Sequence, residues 1–102
     1  MAAKESFQQI IKGDTPVLVD FYAEWCGPCK AMAPMLVQFQ KEMGTQVRVI
    51  KVDVDRNPEA AARFKVQAVP TLMLFKSGNI AWKHSGAVPV NTLKEAVKKV
   101  LS

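Results

Sequence analysis

Val17-Leu18-Val19-Asp20-Phe21-Tyr22-Ala23-Glu24-Trp25-Cys26-Gly27-Pro28-Cys29-Lys30 decides how this chain is read, because an apolar run leads directly into two cysteines three positions apart. Val17 to Tyr22 is apolar on both of its faces except for Asp20, which suits a central strand covered by helices on both sides. A helical pattern opens at Cys29. Cys26 and Cys29 are the only cysteines among 102 residues, and a C-x-x-C beside a strand-helix unit reads as a redox pair rather than a structural staple. A bridge closing so short a loop contributes only about 2 kcal/mol. A chain of this length buries a core without such help, so the thiols are free for chemistry.

Composition narrows the setting. Two cysteines are too few for a secreted disulfide scaffold, and their usage fits a reducing compartment. Met1 to Ser6 carries a charge of each sign and no apolar run, which argues against a signal peptide, and nowhere do 18 apolar residues follow one another. The expectation is a soluble, cytoplasmic, monomeric protein without a membrane partner. The net charge of +5 comes from lysines and arginines scattered from Lys4 to Lys99. Phosphate-backbone binding requires clustered cations, so no nucleic-acid partner is expected. Lys94, Lys98 and Lys99 come closest to a cluster, near the end of a terminal helix where cations complement the helix dipole.

Outward from the cysteines, the remaining elements follow from spacing and punctuation. Ser6-Phe7-Gln8-Gln9 has the form of a capping box, and Phe7, Ile10 and Ile11 keep helical spacing until Gly13. After Cys29, the residues Met32, Met35, Leu36, Phe39 and Met43 form one apolar stripe ending at Gly44, a core-facing helix whose methionines are packing residues. Pro34 lies inside it and is expected to kink it. Val47 to Asp55 reads as a second strand. Asn57-Pro58-Glu59 supplies an N-cap, a first-turn proline and an acid for a short helix to about Phe64. Thr71 to Phe75 and Ile80 to Ser85 flank Lys76-Ser77-Gly78-Asn79, a hairpin with Gly78 and Asn79 available for positive φ. A final amphipathic helix carries Leu93, Ala96, Val97, Val100 and Leu101, with Asn91 as its expected N-cap.

The order αβαβαββα implies a single α/β domain, residues 1–102, with a mixed sheet of about four strands flanked by helices on both faces. Within that order, Val19 to Lys30, Lys51-Val52-Asp53-Val54-Asp55, Val69-Pro70-Thr71 and Gly86-Ala87 stand where the thioredoxin family places the same motifs. The chain resembles that family from about Ser6 to its C-terminus. Two departures accompany the resemblance. The family commonly has a strand before the first helix, and only Met1 to Glu5 remain here, so that strand is expected to be missing or vestigial. The Val47 to Asp55 strand would then be an exposed edge able to recruit another chain. Tyr22 stands where many thioredoxins have tryptophan, with a packing change and little effect on chemistry expected.

Helix position alone points to unequal thiols. Cys26, at the start of the helix, faces unpaired amides and the positive end of the dipole, which favour a thiolate. Cys29, one turn further in, is expected to be more buried and less acidic. Residues at i and i+3 have Cβ atoms roughly 5 to 6 Å apart, against about 3.8 Å in a relaxed disulfide, so the bridge closes with local adjustment. Pro28 restricts the turn and adds no charge; with the resemblance, Gly27-Pro28 points to a reductant. Asp20, a carboxylate in an apolar strand, should hold its proton above the usual range because burial disfavours its charge.

The resemblance implies the rest. Asp20 would take the proton of Cys29, and Lys51 in the neighbouring strand would tune it. The Val69-Pro70 bond would be cis and lie beside the cysteines. Trp25, Gly27, Pro28, Val69, Pro70, Gly86 and Ala87 would form a shallow contact surface for protein disulfide substrates. Electrons would come from NADPH through a separate flavoprotein, thioredoxin reductase, with no cofactor bound beyond the redox-active Cys26-Cys29 disulfide, in keeping with the lack of a nucleotide fingerprint. His84, the sole histidine, reads as an exposed strand residue, and with the two cysteines it supplies three zinc ligands where a structural site wants four. Two other readings stay open: an oxidase or isomerase using the same cysteines, and a binding subunit that uses only the apolar surface.

Overall fold

The computed structural model describes residues 6–102; the expected loss of a first strand falls on Met1 to Glu5, outside the described residues. Ser6 opens helix α1 (Phe7–Lys12) with the capping box that its sequence announces. Ser6 Oγ accepts from the Gln9 backbone N–H at 3.2 Å, and Gln9 Oε1 accepts from the Ser6 N–H at 3.1 Å. Two amides that a helix start leaves unpaired are thereby satisfied, worth about 1 kcal/mol for the cap. Strand β1 (Val17–Tyr22) follows, then helix α2 (Gly27–Met43), strand β2 (Arg48–Asp53), helix α3 (Pro58–Arg63), the hairpin β3 (Thr71–Lys76) and β4 (Asn79–Ser85), and helix α4 (Val90–Leu101).

The four strands lie in the order β2-β1-β3-β4. β1 runs parallel to β2, and both pairs across β3 are antiparallel, which is the mixed sheet expected from the order of elements. Because side chains alternate along a strand, β1 serves two cores. Leu18 points with Leu72 and Leu74 into a cluster closed by Met32, Leu36, Phe39 and Met43 of α2 and by Leu93, Ala96 and Val97 of α4. Val17, Val19 and Phe21 point the other way with Met73 and Phe75, toward Ile11 of α1 and Phe64. There Phe7, Phe21, Phe64 and Phe75 meet edge-on or tilted, at centroid distances of 5.3 to 6.5 Å. α2 and α4 are further joined by Lys94 Nζ to Glu42 Oε1 at 2.8 Å, which takes one cation out of the terminal lysine group.

Several boundaries differ from the sequence reading. α2 begins at Gly27, so Cys26 is its N-cap and Pro28 lies in its first turn; the helix is continuous through Pro34. α4 begins at Val90 with Pro89 as N-cap, not Asn91. Val90 packs against the α2 cluster, which draws the first turn two residues earlier, and the Pro89 carbonyl accepts from Thr92 N–H at 3.0 Å. Asn57 is the N-cap of α3 as expected, though without a side-chain cap bond; its side-chain amide donates instead to Asp53 O at 3.0 Å.

Among the described residues β2 is an edge strand, but part of its open side is closed. Gln40 of α2 accepts from Val49 N–H through Oε1 and donates through Nε2 to Val47 O, both at 3.0 Å. One carboxamide thus makes the donor and acceptor contacts of a neighbouring strand's peptide group, which blunts the edge expected to recruit another chain.

In the hairpin, Ser77 and Gly78 take positive φ, +52° and +84°, and Asn79 starts β4 instead. Two central residues at positive φ are the demand of a tight hairpin turn whose twist matches its strands, and a serine there is strained by roughly 1 kcal/mol relative to residues that tolerate that region. Ser77→Asn, which creates Asn-Gly at the turn, is expected to stabilise the protein by about 0.5 to 1 kcal/mol. Urea unfolding checks it: an unchanged or lower midpoint would contradict the turn assignment.

Candidate active site

The first turn of α2 is built around Cys26. Its backbone is extended (φ −88°, ψ 112°) and its sulfur accepts from the Cys29 N–H at 3.2 Å. The sulfur therefore does what an N-cap oxygen usually does, taking an amide that the helix start leaves unpaired. Cys26 and Cys29 are joined as a disulfide, with Cα atoms 5.3 Å apart. The position expected to favour an anion is thus the one Cys26 Sγ occupies, facing an N–H donor at the positive end of a 17-residue helix.

Burial does not separate the two cysteines as the sequence reading expected. Cys26 is 4% exposed and Cys29 5%. Cys26 is covered because Ala23, Val69 and Val54 pack around the pair, and Val69 O lies 3.5 Å from Cys26 Sγ. What distinguishes the sulfurs is their relation to the helix start. Cys29 lines a cavity of about 200 Å³ together with Tyr22, Lys30 and Lys51.

Asp20 sits where the sheet face meets that helix. Its register partners are Lys51 on β2 and Leu72 on β3, so it shares the face of Leu18 and Leu72, covered by α2. It is fully buried, and its Oδ1 has no hydrogen-bond partner. Burial pushes the carboxyl up to about 6, with the nearby Lys51 charge pulling it partly back. The Lys51 ammonium lies over the Tyr22 ring, 4.5 Å from its centroid.

The other side of the disulfide carries the expected contact residues. The Val69-Pro70 bond is cis. Gly86 N–H donates to Pro70 O at 2.8 Å, fastening the end of β4 to this loop, and Gly86 has a φ of +98°, open to glycine at little cost. Trp25 is 71% exposed beside the half-buried Val69, and the two line a cleft of about 170 Å³ with Val54, Val66, Gln67 and Ala68. Gly27, Pro28 and Ala87 are exposed. The sequence reading missed Asp55, whose Oδ2 accepts from Trp25 Nε1 at 2.8 Å; thirty positions separate the two, and nothing in their spacing signals the contact. His84 stacks on Trp82, centroids 6.0 Å apart and planes within 9°. Among the described residues no group of three His, Cys, Asp or Glu is placed to hold a metal, and no helix is long and apolar enough to cross a membrane.

Comparison with known proteins agrees with this geometry. The family model described as Thioredoxin matches residues 1–99. The chain is 46% identical to thioredoxin 1 of Chlorobaculum tepidum over 88 residues, covering 86% of this chain and 87% of that one. It is also 46% identical to a thioredoxin of Alicyclobacillus acidocaldarius over 96 residues, 94% and 91% of the two chains. The oxidised crystal structure of mitochondrial thioredoxin 3 from Saccharomyces cerevisiae superposes with a TM-score of 0.82 at 39% identity, covering 91% of this chain and 86% of that one. The chain belongs to the thioredoxin family, and its Cys26-Cys29 pair makes it a thiol-disulfide oxidoreductase.

Proposed function

We propose that this protein works as a monomeric cytoplasmic reductant of protein disulfides, a single domain of residues 1–102 in which Cys26 attacks and Cys29 resolves. The observation that carries the assignment of roles is the Cys29 N–H aimed at Cys26 Sγ: a charge-assisted bond from a helix-terminal amide stabilises the thiolate over the thiol. In the reduced protein the Cys26 thiolate attacks one sulfur of a substrate disulfide. That S–S bond breaks, a mixed disulfide forms, and one substrate sulfur leaves as thiolate. Asp20 takes the Cys29 proton, the Cys29 thiolate attacks Cys26 Sγ, and the second substrate sulfur leaves. The substrate gains two electrons; its two thiolates take up the Cys29 proton passed on from Asp20 and one proton from solvent, matching the one Cys26 lost on forming its thiolate, and the Cys26-Cys29 bridge is restored.

Returning the bridge to the dithiol requires two electrons from outside. By family membership these come from NADPH through thioredoxin reductase. The test is turnover of a protein disulfide with NADPH and that reductase: NADPH oxidation should depend on both partners and saturate with the protein substrate. Failure to be reduced by the reductase, alongside catalysis of disulfide formation in a reduced client, would favour the oxidase or isomerase reading instead.

Substrate binding is assigned to Trp25, Gly27, Pro28, Val69, Pro70, Gly86 and Ala87. An extended segment pairing with the Val69 backbone would lie across the cleft beside Trp25, whose indole is oriented by Asp55. Trp25→Phe keeps the apolar ring and removes the Nε1 donor. It is expected to lower kcat/KM about fivefold, because ordering the freed ring again on substrate binding costs about 1 kcal/mol, while leaving stability nearly unchanged because the residue is exposed. Steady-state kinetics with a thermal melt decide it; a matching loss of stability would mean that the indole serves the fold instead.

A further inference from the structure

Tyr22 and Lys51 make a contact whose consequence reaches Asp20. Leu18 and Val49 both face the α2 cluster, so by strand alternation Asp20 and Tyr22 on β1 and Lys51 on β2 face the same way. Asp20 and Lys51 are direct register partners, and the Lys51 ammonium lies 4.5 Å from the Tyr22 ring centroid. Lys51 also stands on a boundary. It lines the cavity of about 200 Å³ that reaches Cys29, and it lines a second groove of about 370 Å³ along α2, with Leu36, Val37 and Val49. A flexible lysine stem can place its charge on either side.

We propose that Tyr22 is a positioning residue: its ring face holds the Lys51 ammonium on the Cys29 side of that boundary, and so sets how tightly Asp20 holds a proton. The proposal deepens the reading of Asp20 as proton acceptor for Cys29, and rests on it for its catalytic meaning. A cation over an aromatic face is held by the ring quadrupole, and that attraction needs the ring, not the hydroxyl. The other charged groups lining the Cys29 cavity are Glu24 after β1 and Lys30 on α2, Cys29 itself being held in the disulfide; Lys51 is the one whose charge acts on the Asp20 carboxyl. The replacement of the family's frequent tryptophan by tyrosine therefore retains an aromatic face for the lysine, which is more than the packing change expected from sequence.

The experiment is a carboxyl-carbon NMR titration of Asp20 in the oxidised, full-length protein, with the resonance identified by its absence in Asp20→Asn. Tyr22→Phe should leave the midpoint in place. Tyr22→Leu should raise it by about half a pH unit, as Lys51 drifts from the carboxylate and its charge is screened; Tyr22→Met serves as a second ring-free variant should the leucine variant not fold. In a Lys51→Met background the same ring removals should cause no rise. A ring that merely seals the core would give the opposite sign, because water reaching Asp20 lowers its midpoint. A lowered or unmoved midpoint in the ring-free variants, or an equal rise without Lys51, overturns the proposal. The pH profile of mixed-disulfide resolution, measured in parallel, should follow the NMR midpoint. If the midpoint rises as expected and the profile stays fixed, it is the proton-acceptor role of Asp20 that fails, while the positioning by Tyr22 stands.

Discussion

Cys26→Ser is expected to abolish reduction of a protein disulfide, a loss of about 10⁴-fold or more, since removal of a nucleophile leaves only binding and orientation. Cys29→Ser should do something different: react once and stop, accumulating one equivalent of mixed disulfide through Cys26 that is visible by mass and reversed by dithiothreitol. The reason lies in the first turn of α2. The amide that caps Cys26 Sγ is a backbone group of residue 29, so it survives the serine substitution and continues to favour the Cys26 thiolate. Nearly equal burial of the two cysteine residues makes this a demanding test. Cys29 lines a cavity of its own, and if exposure governed reactivity, Cys26→Ser would trap substrate on Cys29 at a comparable rate. That outcome would reverse the assigned roles.

The second large effect concerns Asp20 and has a thermodynamic and a kinetic side. Unfolded, the carboxyl ionises near 3.8; folded, near 6. Between those values the folded chain binds the extra proton, so stability falls as pH rises from about 4 to about 6, by roughly 3 kcal/mol in all. Asp20→Asn removes the charge and keeps the shape. It should gain roughly 2 to 3 kcal/mol at pH 8 and lose most of the difference between pH 4 and pH 8, read by urea unfolding at the two values. The same variant should slow resolution of the mixed disulfide about 10²-fold, as loss of a general base does, without slowing its formation. Wild-type pH dependence of stability in Asp20→Asn would show that this carboxylate does not carry the cost of burial. Wild-type resolution would show that it is not the proton acceptor.

Much of this was legible before any coordinates, and the reasons are local. Ser6 and Gln9 form the expected capping box because both partners lie within one turn. The α2 stripe is buried because apolar residues at helical spacing have one way to face a sheet. Asp20 could be picked out because a lone carboxylate among Val17, Leu18, Val19 and Phe21 has no route to water once that strand is central. What was misread depended on neighbours distant in the chain. The start of α4 moved to Val90 because that side chain found the α2 core. Asp55 was invisible because its partner, Trp25, lies thirty residues earlier. The open side of β2 was partly closed by Gln40, a helix residue with no strand signature.

The chain by itself determined the order of elements, the two sulfurs three positions apart at a helix start, and a lone carboxylate in the apolar strand before them, since each follows from periodicity, caps and composition over a few residues. Only the tertiary structure decided that burial does not separate the two cysteines. Packing by Val54 and Val69 hides Cys26 as fully as Cys29, leaving the helix-terminal amide as the distinguishing influence. It also decided that Lys51 stands in register with Asp20 across β1 and β2 and acts on it through its charge, with its ammonium over Tyr22. Burial and electrostatic fields are sums over everything that surrounds a group, and what surrounds Cys26 and Asp20 comes from segments that meet only when the sheet has formed.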